Sequence, residues 1–396
     1  MARGLLRSVW WFGGTAGWWF ARRGGKAGLV VVIGINYSPR PTDIFRQRET
    51  AKDGVSLRVS RLQRGFRRRR LFPNPISFPL KQGIAVSRLS VIIPVLGNLE
   101  QMEHTLLSVL ENRPDDCEVI VVLDEPYDDP YHLEGEVRFL PPEGKRGLAA
   151  AVNRGLRAAS NPLVHILACG CEVIEGWAEA AAGHFQDERI ACVVPVVVQQ
   201  EKPSAILAAG LGYEPTGRLV HFQYGVPIDG VLLAHRTQVL PHASGAIFRK
   251  DLLELIGGAD PMVGDQWVMA DLVLTLQHAN RLSILEPRCR VRATHIVGVF
   301  PGEYRLACDA EAFFWRWNAL AGSWTQALRH VGSLAGEGVA SLVRWQRLPR
   351  LSGRLAGMRR PTGGEFLAQR IRRLRRAEES RAVRPFPARQ PLAKAG

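Results

Sequence analysis

The chain has 396 residues, 46% of them hydrophobic and 22% charged, with 52 Lys/Arg against 37 Asp/Glu and a formal net charge of +15. That length supports a sizeable core, and the proportions are those of a globular protein, which excludes a chain disordered throughout. The charge is uneven: residues 1–80 carry a balance of +13 and residues 341–396 one of +12, around a mildly acidic centre.

Basic ends point to an anionic partner, a phospholipid surface or nucleic acid, or else to solvated tails. Trp10 to Ala21 (WWFGGTAGWWFA) is an aromatic run flanked by Arg7, Arg22 and Arg23. It is shorter than the roughly 20 apolar residues a bilayer span needs, and tryptophan beside arginine suits the membrane interface. Residues 1–40 are therefore expected to be a peripheral anchor rather than a cleaved signal, and residues 41–88 a basic linker. The six cysteines form no Cys-x-x-Cys pair, which argues against structural zinc. Reduced, buried thiols in a cytosolic protein are the simplest account.

From Leu89 the pattern becomes regular. Leu89–Val95 predicts a buried strand, Leu99–Asn112 an amphipathic helix, and Glu118–Leu123 and Glu136–Leu140 two further strands. Leu148–Ala159 is Ala-rich and predicts a helix, which Asn161-Pro162 ends. Leu163–Leu167 is a fourth strand, running into Ala-Cys-Gly-Cys, with a helix beginning near Glu175. Ala191–Val198 is another strand, and Cys289–Phe300 holds a final one ending near His295. Strands alternating with helices predict a mainly parallel α/β sheet, whose ligands bind at the carboxyl ends of the strands. Glu365–Glu379 is a candidate helix in a basic, proline-rich tail that otherwise reads as disorder. No dinucleotide fingerprint or phosphate-binding P-loop is present.

Gly147, Leu148, Ala149, Ala151, Asn153 and Gly155 match a Gly-Leu-Ala-x-Ala-x-Asn-x-Gly helix, and the chain resembles family 2 glycosyltransferases of the GT-A fold, O-antigen-type subgroup. The resemblance covers about 210 residues. It implies an α/β GT-A domain over residues 89–300 with a mixed, mainly parallel sheet, a helical extension over 301–340, and a basic, largely disordered tail over 341–396. It implies that Asp124, after the second strand, contacts the nucleobase, and that Asn153 and His295 serve the donor. By the residues themselves, Lys145 and Arg146 in the loop before that helix are placed to meet a diphosphate, and Glu172 is the carboxylate nearest the end of the fourth strand. Ser244 and Gly245 fall on the acceptor side. Gly257-Gly258-Ala259-Asp260 is similar to the family's Gly-Gly-Phe-Asp.

The sequence departs from the family at two chemical positions. The Asp-x-Asp that holds Mg²⁺ or Mn²⁺ is replaced by Ala168, Cys169 and Gly170, which offer a hard cation no carboxylate. The catalytic base falls on Met269, which accepts no proton; Asp271 persists, and Asp265, one turn earlier, is the substitute candidate. Three readings follow. One is transfer of a sugar from a nucleotide-sugar donor to a glycan or lipid-linked acceptor, with Lys145 and Arg146 in place of the metal. Another is a catalytically inactive relative that binds nucleotide, glycan or a partner protein. The third is an adaptor acting through its basic ends, with nucleic acid the less favoured target. The expected location is cytoplasmic, at the inner face of the cell membrane.

Overall fold

A computed structural model describes residues 88–214, 217–228, 238–293, 302–343, 348–361 and 363–382, and the short strands β1 (Val9–Phe12), β2 (Thr15–Trp18) and β3 (Ile35–Asn36). The chain divides into two compact units, residues 1–69 and 70–396. In the first, β1, β2 and β3 form an antiparallel sheet with Trp10 opposite Gly17. The rest of the expected anchor, and the linker up to residue 87, lie outside the described residues.

The second unit is built on β4 (Leu89–Pro94), α1 (Leu99–Asn112), β5 (Cys117–Val122), β6 (Val137–Leu140), α2 (Leu148–Ala158), β7 (Leu163–Leu167), β8 (Cys171–Val173) and α3 (Trp177–Ala182). It continues through β9 (Ile190–Gln199), β10 (Ile206–Ala208), β11 (Leu211–Tyr213), β12 (Leu219–His221), β13 (Gly245–Arg249), α4 (Lys250–Leu255), α5 (Val268–Gln277) and β14 (Leu282–Ala293). Four helices close it: α6 (Glu303–Ala321), α7 (Trp324–Val343), α8 (Leu348–Gly357) and α9 (Gly364–Ala382). Among the described residues the main sheet has nine strands, in the order β6-β5-β4-β7-β13-β9-β14-β8, with β10 on β9. The β4–β7 pairings and β9–β14 are parallel, and β13 is antiparallel to both its neighbours. This is the mixed, mainly parallel sheet flanked by helices that the sequence predicts.

Each strand sends alternate side chains to opposite faces. In β4, Ile92 enters the core beneath α2 and α5, whereas Val91 and Ile93 enter the one beneath α1 and α3. The helices cover these faces with matching stripes: Met102, Leu106 and Val109 on α1, and Leu148, Val152 and Leu156 on α2.

Two expectations are corrected. The last strand begins at Leu282, seven residues before Cys289, because β14 stays paired with β9 across an irregularity between Glu286 and Arg290. The region expected as a largely disordered tail is helical over residues 348–357, which form α8, while the candidate helix over Glu365–Glu379 is present as α9. On α9, Leu367, Arg370, Ile371 and Leu374 recur at helical spacing and are buried, while Arg372, Arg373, Arg375 and Arg376 are exposed. Helix α8 lies against α6 through Gly353 and Gly357, where a Cβ would stand 2.1 and 2.4 Å from the carbonyl oxygens of Tyr304 and Cys308. Only glycine permits that approach.

Candidate functional site

The carboxyl ends of β4 and β5 open into a cleft of about 220 Å³. Its floor is Val95–Leu96 and Val122–Asp124, and its wall is the Pro142–Gly147 loop with Ala151 and Arg154 of α2. The floor is fixed by backbone pairing past the strand ends: Val95 N–H donates to the Val122 carbonyl at 2.9 Å, and Leu123 N–H to that of Leu140 at 3.0 Å. Asp124 follows directly. Its Oδ1 is buried and has no hydrogen-bond partner within the protein, a costly arrangement that a ligand donor would relieve.

Lys145 and Arg146 line the same cleft from the loop ahead of α2. The loop turns at Gly144 (φ +68°) and Gly147 (φ +106°), conformations that side-chain-bearing residues rarely adopt. Gly147 is the N-cap of α2 and brings no capping side chain. Asp265 supplies one from a distance: its Oδ1 accepts the Leu148 N–H at 2.8 Å. Arg154, which sequence reasoning missed, also lines the cleft and donates to the Pro141 carbonyl. Its spacing was the available signal, since Gly147, Ala151 and Arg154 follow at i, i+4 and i+7 on one helical face.

The other predicted residues lie elsewhere. Asn153 faces away from the cleft: its Oδ1 accepts the Ala259 N–H at 2.7 Å and its Nδ2 donates to the Ala259 carbonyl at 2.8 Å. Both ends of the amide are thereby engaged in tying α2 to the Gly257–Ala259 turn. Asp271 is 1% exposed, its Oδ1 held by Arg316 Nε at 3.1 Å and its Oδ2 by Arg370 Nη1 at 2.7 Å. That carboxylate is sealed between α6 and α9. Met269 is buried in the same core as Trp267 and Leu272.

Gly245 stands opposite Leu167 in the β13–β7 ladder, where a Cβ would lie 1.9 Å from the Ile166 carbonyl oxygen. Backbone approach between strands thus accounts for this glycine. Ser244 is buried, and its N–H donates to His242 Nδ1 at 3.1 Å. Burial, aided by His221, holds the His242 pKa down at about 4, in keeping with a neutral acceptor. His295 lies outside the described residues.

At the positions the resemblance assigns to Asp-x-Asp, Ala168 N–H donates to the Ser244 carbonyl at 3.0 Å, and Gly170 N–H to Thr105 Oγ1 at 2.9 Å. The Cys169 thiol meets the Pro94 carbonyl at 3.2 Å. Burial, with the charge of Asp124 nearby, pushes that thiol up to about 12, so it stays protonated at neutral pH. Glu172 is on β8 and accepts from Gln200 Nε2 at 2.6 Å. Among the described residues no group of three or more His, Cys, Asp or Glu side chains is arranged to hold a metal ion. The residues present do not fit Mg²⁺ or Mn²⁺ at this position. All six cysteines are free thiols.

Residues 90–254 match the family model of Glycosyl transferase family 2. The match begins inside β4 and ends inside α4, so it takes in every element that shapes the cleft. That match covers less than half of the chain; the mixed, mainly parallel sheet flanked by helices is that of the GT-A fold. Polypeptide N-acetylgalactosaminyltransferase 12 of Mus musculus is 32% identical over 104 residues, 24% of this chain and 18% of that protein. The pre-mycofactocin glycosyltransferase of Mycobacterium tuberculosis is 24% identical over 197 residues, 48% of this chain and 38% of its own length. The chain thus spans well under half of either relative. Among solved structures, a mannosyltransferase from Pyrobaculum calidifontis in complex with GDP-Man and Mn²⁺ aligns with a TM-score of 0.41 and 17% identity, over 77% of this chain and 78% of that one.

Proposed function

We propose that the chain transfers a sugar from a nucleoside-diphosphate sugar to a glycan or lipid-linked acceptor, and that it neutralises the diphosphate with side-chain cations in place of a metal. The observation that carries this reading is the juxtaposition, in one cleft, of Asp124 with its unpartnered Oδ1 and the cations Lys145 and Arg146. A carboxylate at the end of β5 accepts an N–H from the base of a bound nucleotide. Lys145 and Arg146 pair with the diphosphate oxygens and stabilise the charge that develops there as the glycosidic bond breaks. Calorimetry with UDP, GDP and dTDP tests this. Binding of at least one, weakened about tenfold or more in Asp124→Ala by loss of a charge-assisted hydrogen bond, supports it; no binding, or an indifferent variant, overturns it.

A second reading, an inactive relative that binds nucleotide or glycan, is favoured by the burial of Met269 and of Asp271, whose carboxylate is tied up by two arginines. Tight nucleotide binding without transfer or hydrolysis of any donor sugar would select it.

We place the acceptor at an anionic membrane surface. Among the described residues no helix is long and apolar enough to cross a membrane, but Trp324, Leu328 and Val331 recur along one face of α7 and are 71%, 60% and 47% exposed. Between residues 324 and 382 there are 13 arginines and four glutamates, a charge that suits anionic headgroups. Flotation of the full chain with phosphatidylglycerol vesicles but not with phosphatidylcholine alone supports this placement, and equal flotation with both removes it.

A further inference from the structure

We propose that Asp265 is a positioning residue that holds the Gly144–Gly147 loop in the shape presenting Lys145 and Arg146 to the cleft; this rests on the donor reading above.

The first amide of α2, Leu148 N–H, needs an acceptor that its own N-cap, Gly147, does not carry. Asp265 Oδ1 takes that bond at 2.8 Å from 117 residues away in sequence. It stands 3.1 Å from where a Cβ on Gly147 would lie, and so occupies the place of the missing capping side chain. The loop itself turns on two positive-φ glycines, Gly144 and Gly147, and gains its shape from what it is tied to.

The anchor behind Asp265 is firm. It opens the turn Asp265–Trp267 that leads into α5, and Trp267 stacks on Phe313 of α6 at 4.4 Å between ring centroids. One turn further on, Asp271 is clamped by Arg316 of α6 and Arg370 of α9. The C-terminal helices thus fix α5, α5 fixes Asp265, and Asp265 fixes the cation loop. Its place one helical turn before Met269 offers Asp265 as a stand-in proton acceptor. The geometry gives it a different task, carried out through a backbone amide.

Two variants of the full chain separate the tasks. Asp265→Asn and Asp265→Ala both remove the charge, but only asparagine keeps an oxygen able to accept the Leu148 N–H. In Asp265→Ala we expect hydrogen exchange across residues 144–151 to speed up, and the affinity for UDP or GDP to fall about tenfold. Asparagine is expected to restore both to within twofold of the unmodified chain, with turnover at saturating donor changed less than threefold. Loss of turnover in Asp265→Asn with unchanged nucleotide affinity would overturn the proposal in favour of a proton-accepting role. Unchanged exchange and affinity in Asp265→Ala would overturn it outright. If the unmodified chain binds no nucleotide, the donor reading fails, and the exchange comparison alone decides whether Asp265 holds the loop.

Discussion

The loop ahead of α2 and the segment from Gly257 to Leu272 carry polar side chains to opposite ends. Around the loop, Asp124 keeps an oxygen unpartnered, and Lys145 and Arg146 face an open cleft. Across the 257–272 segment, polar groups are spent on the fold. Asp271 is held by two arginines, the Ala259 backbone is tied to Asn153, and Asp265 is bonded to α2. On the proposed reading, the cleft keeps its polarity for a ligand, while the segment expected to carry a base has turned its polarity inward. Substitutions should therefore divide into those that move stability and those that move affinity.

The largest effect is expected at the most deeply spent group. Arg370 is 1% exposed and bonds Asp271 and the carbonyls of Ile256 and Gly258. Arg370→Ala should cost about 3–5 kcal/mol by leaving a buried carboxylate short of its partner, read as a lower midpoint in urea. Near-normal stability would break the contrast at its strongest point.

A pH effect comes next. Burial holds His165 down at about 3 and His242 at about 4, so both stay neutral in the fold while the unfolded chain takes up protons near pH 6.5. The unfolded state then binds more protons than the folded one, and stability falls as pH drops from about 6.5 towards 4. The slope approaches about 1.4 kcal/mol per pH unit for each histidine. Urea midpoints at pH 7, 6 and 5 measure it, and a His242→Asn variant should flatten part of the decline.

Asn153→Ala removes the two-way tie to Ala259 and should cost about 1–3 kcal/mol, with nucleotide affinity changed only as far as α2 loosens. A large loss of affinity at unchanged stability would instead return Asn153 to the donor site. The smallest effect on stability belongs to the exposed loop: Lys145→Ala and Arg146→Ala should each stay within about 0.5 kcal/mol of the unmodified chain. Their effect should appear as weaker nucleotide binding in calorimetry.

The division also explains what was legible in the sequence. The strands from Leu89 to Leu167 and the α2 helix follow from local apolar runs and alanine content, and they fall within a residue or two of their expected bounds. The cleft residues Asp124, Lys145 and Arg146 were legible because they are near neighbours of those elements. What failed to show was anything decided by a distant partner. Asn153 meets Ala259, and Asp271 meets Arg370, across about a hundred residues, and no pattern within either segment announces the pairing. Helix α9 was legible as a candidate over Glu365–Glu379, but its docking was not, because its arginine runs read as surface while Leu367, Ile371 and Leu374 between them are buried. Arg154 was overlooked because one arginine on an Ala-rich helix reads as surface until the cleft beneath it is seen.

The central claim is that cations on the α2 loop do the work usually given to a carboxylate-held metal. Titrating the nucleotide that binds into the full chain, once in excess EDTA and once in millimolar Mn²⁺, tests it most directly. The account predicts the same affinity in both, lost in a Lys145→Ala/Arg146→Ala double variant. Binding that vanishes in EDTA, or survives loss of both cations, would contradict it.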